Sequence, residues 1–225
     1  MKKPVQQNKT KKRRFIFWAP LIVIAIFFGL DKFETLRDRS RTAKIDLDDG
    51  TVITARVDKD LVVVKRGDEK YFIDKKAMGA DKLTAQLNSL EPKYRTKEQR
   101  KIIRAAIGTK LYIQNNLTAI AEHCDHHNSM RKYRAKFNAG FADKKAKADK
   151  IIAEINMEKE AGDYIHSVVM AGREVRTQVF MKEFAEFSQG EENLTMADFC
   201  NAMNDMADDV VESILEFHKK IYPGF

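Results

Sequence analysis

Between Arg14 and Asp31 the chain reads FIFWAPLIVIAIFFGL, sixteen residues (15–30) without a single charge. As a helix rising ~1.5 Å per residue, this run spans roughly 24 Å, against a hydrocarbon core of ~30 Å. Arg14 and Lys32 can snorkel outward and Trp18 can sit at the interface, which extends its reach. A cleaved signal peptide begins in the same way, but cleavage wants small residues at the −3 and −1 positions. Past Ala25 the run continues Ile26, Phe27, Phe28, Gly29, Leu30 and offers no such pair. The expectation is therefore an uncleaved single-pass anchor that meets the lipid bilayer through residues 15–30.

Charge placement sharpens that reading. The formal net charge is +8, which on its face invites a nucleic-acid partner. Residues 1–14, however, hold seven basic side chains and no acid, and residues 31–92 balance thirteen against thirteen. Residues 93–150 carry fifteen basic against five acidic groups, and 151–225 six against fifteen. The part beyond the anchor is thus close to neutral, and no nucleic-acid partner is expected. A dense basic tail before the span follows the positive-inside rule, although Lys32, Arg37, Arg39, Arg41 and Lys44 follow the span closely. The tail is expected in the cytosol and the rest outside, which in a bacterium means an inner-membrane protein with its C-terminal part in the periplasm.

Residues 31–42 read as a polar stalk, and 43–92 as a small β meander followed by a connecting helix. Short β-branched or aromatic runs at 43–47, 51–57, 61–65 and 71–73 alternate with turn-forming Asp49-Gly50, Asp58-Lys59-Asp60 and Arg66-Gly67-Asp68. Asp46, Asp48, Asp49 and Gly50 bring a calcium loop to mind, but the glycine comes one position early and no Glu closes twelve residues. A hairpin turn is the better reading.

Residues 93–225 are helical in pattern. Thr96 and Gln99 have capping-box spacing, and Ile103, Ile107, Leu111, Gln114, Leu117, Ala121 and Cys124 mark one face of a first helix. A second helix, capped by Asn128, turns Tyr133, Phe137, Phe141, Ala148, Ile151 and Ile155 inward. A third runs from about Glu158 to Phe187 and stops at Gly190. A fourth opens at Thr195 and Asp198, carries Phe199, Met203, Met206, Val210, Ile214 and Phe217, and ends at Pro223. The fold class expected is mainly α: anchor helix, antiparallel β meander, then a four-helix up-down-up-down bundle. Its first two helices are basic and its last two acidic, which favours their packing against one another.

That topology puts the end of the first helix beside the start of the fourth, and so puts Cys124 beside Cys200. In an oxidising compartment a disulfide follows, closing a loop of 77 residues, for which the chain-entropy model gives ~4–5 kcal/mol. Around Cys124 stand Glu122, His123, Asp125, His126 and His127. Imidazoles at 123 and 126 or 127 share a helix face at metal-ligand spacing, so the three histidines are candidate metal ligands. The disulfide competes for Cys124, however, and histidines at a helix C-terminus also complement its dipole, as does His218. His166 and Ser167 are adjacent on a helix, about 100° apart, and cannot form a nucleophile–base pair. The chain has no Walker, dinucleotide-binding, nucleophile-elbow, zincin or C-x-x-C motif, and no paired E-x-x-H. No enzyme activity and no cofactor are expected. The leading expectation is a non-enzymatic envelope protein that binds or scaffolds another envelope protein. The alternative is a membrane-tethered ligand or metal sensor, and the oligomeric state stays open.

Overall fold

The computed structural model describes residues 43–46, 52–58, 60–126, 130–188 and 194–225. The basic tail (1–14), the anchor (15–30), the stalk (31–42), the turn at 48–50, His127, the Asn128 cap and Gly190 lie outside the described residues. Among the described residues no helix is long and apolar enough to cross a membrane.

Four strands, β1 (Ala43–Asp46), β2 (Val52–Asp58), β3 (Leu61–Arg66) and β4 (Glu69–Asp74), form an antiparallel meander in chain order. Two-residue turns fix the register: Asp58 pairs with Leu61, and Arg66 with Glu69. Gly67 makes the second turn at φ +56°, a conformation that costs a Cβ-bearing residue strain. Because side chains alternate, one face buries Ala55, Val62, Val64, Tyr71 and Ile73. The opposite face leaves Leu61 41% and Phe72 56% exposed. Too small to sustain its own core, the sheet shares one with the helices, and its apolar side chains are continuous with theirs.

Gly79, at φ +68°, turns the chain into α1 (Ala80–Ser89), which buries Ala80, Leu83 and Leu87. Each buried leucine is worth about 1.5–3 kcal/mol. A single 3-10 turn, Pro92–Tyr94, leads into α2 (Lys97–His123), and α3 (Arg131–Glu154) follows. The rest of the chain forms α4 (Glu158–Ala171), α5 (Arg173–Ser188), α6 (Met196–Asp205) and α7 (Ala207–Ile221). The molecule is mainly helical, with the sheet before a helical bundle. Ion pairs Lys110–Asp149 (2.6 Å) and Arg134–Asp125 (2.6 Å) show α2 and α3 running in opposite directions. Lys132 and Lys136 of α3 both reach Asp208 of α7, at 3.2 and 2.6 Å, so basic and acidic helices do meet.

Three expectations need correction. The third and fourth helices are each broken once, at Gly172 and at Met206. Glycine costs about 1 kcal/mol relative to alanine in a helix interior, and the break leaves the last-turn carbonyl of Val169 to accept from Arg176 Nη1. The second helix starts at Arg131 with Met130 at its N-cap, in the left-handed region at φ 48° and fully buried. Burial of that side chain, and no capping hydrogen bond, holds it there. Finally, Gln114 and Ala121 are exposed, whereas Thr109, Tyr112, Asn115 and Asn116 are buried. With α3, α4, α5 and α7 packed around it, α2 is covered on most of its circumference, and a single apolar stripe does not describe it.

Candidate functional site

At the end of the bundle where α2 finishes and α6 begins, Cys124 and Cys200 stand at disulfide distance, with Sγ atoms 1.97 Å and Cα atoms 5.6 Å apart. Both are fully buried. The capping box at Thr195 and Asp198 starts α6 by exchanging side-chain and backbone hydrogen bonds, and so sets the position of Cys200 two residues later. Phe180, Phe184 and Phe187 of α5 gather edge-on around Phe199, the neighbour of Cys200.

Beside the cysteines, Arg176 is buried almost completely and holds Glu122 with two hydrogen bonds, of 3.1 and 3.0 Å. Its Nη1 also donates to Asn115 Oδ1 at 3.1 Å. Arg173 approaches the same carboxylate at 3.6 Å. A buried guanidinium is tolerated only when paired and hydrogen-bonded in this way. No local sequence pattern announced the pair, which spans 54 positions.

Of the three candidate metal ligands, His123 and His126 are described and His127 lies outside the described residues. His123 stacks on Phe180 with ring centroids 4.4 Å apart, whereas His126 is exposed. Burial above all, then the nearby Arg176 and Arg173, lowers the His123 pKa below its ordinary value, against the opposing charge of Glu122. Its Nε2 is buried without a hydrogen-bond partner among the described residues. No group of three or more His, Cys, Asp or Glu that could hold a metal ion occurs among the described residues. Ser167 donates its hydroxyl to the Asp163 carbonyl at 2.9 Å, and its neighbour His166 is exposed, so the two form no catalytic pair.

A polar thread runs from here through the core along α2. Asn116 Nδ2 donates to the Tyr112 carbonyl (2.8 Å), Tyr112 donates its hydroxyl to the Ile214 carbonyl (3.0 Å), and Thr109 bonds His218 Nε2 (3.1 Å). His218, expected to complement the helix dipole as a cation, is instead fully buried, its ring edge-on to Tyr112 and Phe141. Burial, helped by the charge of Lys144, pushes its pKa down to about 3, so the imidazole is neutral.

Beyond His218 the opposite end of the bundle is open. A cavity of about 450 Å³ lies between the start of α2, Lys147 of α3 and the segment 221–225. Ile102, Ala105, Ile221 and Phe225 supply apolar wall, while Lys101, Arg104 and Lys147 face a single acid, Glu98. Lys147 donates to the Gly224 carbonyl and lies 4.7 Å over the Phe225 ring, which fixes the 221–225 segment against α3. Compared with known proteins, the chain matches no family model, no curated protein sequence and no solved structure.

Proposed function

We propose that this protein is a non-enzymatic, membrane-anchored component of a cell envelope whose exported part binds or scaffolds another envelope protein. Residues 15–30 are its span, with the basic tail in the cytosol and the helical part outside. In this reading the six bundle helices act as an up-down-up-down four-helix bundle whose third and fourth members are each broken once. The observation that carries the proposal is the Cys124–Cys200 pair at disulfide distance, because disulfides persist in oxidising compartments and are rare in the cytosol. The half-exposed Phe72 ring on the outer face of the sheet supports a protein partner.

Thiol trapping in intact cells tests the reading. An alkylating reagent is added before lysis, and free thiols are then counted in the denatured, unreduced protein from washed membranes. No free thiols in a monomeric, membrane-retained band is the expected result. Two free thiols, or recovery in the soluble fraction, would sink it. The cavity favours a second reading, a membrane-tethered domain that binds a small ligand, since concave sites of about 300–1,000 Å³ are where small molecules bind.

A further inference from the structure

We infer that the outer face of the β meander packs on the same face of a second copy of this chain, across a twofold axis at Phe72. The inference rests on the reading of that face as a protein contact and names the partner; it is independent of the anchor and of the compartment.

The register defines the face. Side chains at alternate positions of a strand share a face, so Lys70, Phe72 and Asp74 of β4 stand opposite the core, all three exposed. Their register partners on β3 are Lys65, Val63 and Leu61, and Arg56 and Asp58 of β2 continue the last two rows. The helices lie on the other side, where α5 reaches β4 through the Lys182–Glu69 ion pair. Four large hydrophobics are exposed among the described residues, and two of them, Leu61 and Phe72, lie on this one face. Leu61 pairs with Asp74, so Leu61 and Phe72 are diagonal neighbours at ~7–8 Å. They form one apolar patch.

Charge says what covers the patch. Lys65 and Lys70 sit directly opposite each other, where like charges repel. Neither makes an ion pair among the described residues. Asp74 stands as far beyond Phe72 on β4 as Lys70 stands before it. A twofold axis through Phe72, running between the two sheets and across β4, lays ring on ring. It also sets Lys70 of each copy over Asp74 of the other. Lys65 then lies over Leu61 of the second copy, its stem on the leucine and its ammonium near Asp58 and Asp74. The run KYFID at 70–74 is thus complementary to itself when reversed. A neutral or basic partner would leave the two lysines uncompensated, and a uniformly acidic one would meet Asp58 and Asp74. Size sets the strength. Strands of about six residues at ~3.3 Å, four of them ~4.8 Å apart, give a face of roughly 400 Å². That is about half of the ~800 Å² per partner in a standard interface, so the association is reversible and weak.

Sedimentation equilibrium of the purified full chain in a density-matched mild detergent, over a concentration series, tests the inference. A reversible monomer–dimer equilibrium is the expected result. Phe72→Asp should weaken it about tenfold or more, as loss of a central aromatic anchor does. Lys70→Asp alone, or Asp74→Lys alone, sets like charges together twice across the axis and should weaken it about threefold. The combination of Lys70→Asp with Asp74→Lys exchanges the two ends and should restore the parent Kd. A chain that stays monomeric throughout overturns the inference and leaves the face to a different protein. A dimer indifferent to Phe72→Asp is held elsewhere and overturns it as well. So does a double variant as weak as the single ones, because only a self-complementary contact recovers when both ends are exchanged. The parent series needs no variant, so it stands even if one fails to fold.

Discussion

The two ends of the helical bundle are built on opposite plans. At the cysteine end, the Cys124–Cys200 pair, the Glu122–Arg176 pair and the aromatic ring set around Phe199 tie α2, α5 and α6 together. At the cavity end, α2, α3 and the chain after α7 meet around unfilled space, and the charges there are nearly all of one sign. At the first end the ties cross between helices, whereas at the second Lys147 holds only the 221–225 segment, through Gly224 and the Phe225 ring, beside the unfilled space. An end that encloses unfilled space buries less than a filled one, so the covalently tied end is expected to carry more of the stability, and that division of labour is the lesson of the comparison.

The largest test removes the covalent tie. Replacing Cys124 and Cys200 together by Ser is expected to cost about 4 kcal/mol in chemical denaturation, from the loop entropy of a 76-residue separation. Reductant should lower the parent chain to the same level. If the double variant denatures at the parent midpoint, the cysteine end is not the stable one.

Next comes pH. In the unfolded chain His218 titrates near ~6.5, and in the folded chain burial holds it down to about 3. Above pH 6.5 neither state is protonated and its neutrality costs nothing. As pH falls from there toward 3, the unfolded state takes up a proton that the folded state refuses, and stability drops. At ~1.36 kcal/mol per pH unit, up to about 3 kcal/mol is lost between pH 7 and 4. A His218→Leu variant should flatten that slope, measured as the denaturation midpoint across the same range. His123 acts in the same direction, since its pKa is also lowered.

Truncating Arg176 to Met should cost about 3 kcal/mol, as it strands Glu122 and Asn115. Because Glu122 neighbours His123 and Cys124 in sequence, this loss is not expected to add simply to that of the cysteine variant. Gly140→Ala tests the middle of the bundle: a Cβ there would lie 2.8 Å from Leu215 Cδ1. Leu215 is half-buried and can turn its Cδ1 away, and alanine is favoured over glycine in a helix by about 1 kcal/mol, so the thermal midpoint should report a net change of less than about 1 kcal/mol. The smallest effect belongs to the cavity end, where Lys220→Ala removes an exposed side chain and should move stability by less than ~0.5 kcal/mol. A loss as large as that of Arg176→Met would abolish the distinction between the ends.

What could be read in advance follows from how local each signal is. The β2–β3 and β3–β4 hairpins were legible because their turns are two residues long and carry their own chemistry, Gly67 above all. The fourth helix was legible from Thr195 and Asp198, which form both bonds of the capping box. The meeting of Cys124 with Cys200 followed from helix order alone. The interior of α2 was not legible, because a helix covered on most sides buries residues that no single stripe selects. Tyr112, Asn115 and Asn116 sit inside only because Ile214, Arg176 and the chain itself offer partners there. His218 misled for the same reason: its position in the last turn of a helix spoke of a cation on the dipole, but Thr109, 109 residues away, bonds it in the core, where it is neutral. The cavity draws its walls from 98–105, 147 and 221–225, three segments whose convergence no local pattern encodes.

The position of the cysteines also has a mechanical meaning. With the pair oxidised, the covalent path from β1 to α7 passes from α2 straight into α6, and the residues between them hang as a closed loop off that path. A force applied between the two ends of the protein would then unfold the sheet, α2, α6 and α7 while leaving α3, α4 and α5 unextended. At ~3.3–3.6 Å per residue, the 76-residue separation hides on the order of 250 Å of contour length. Under load between its two ends the oxidised chain is a short leash, and reduction would make the hidden length available for extension.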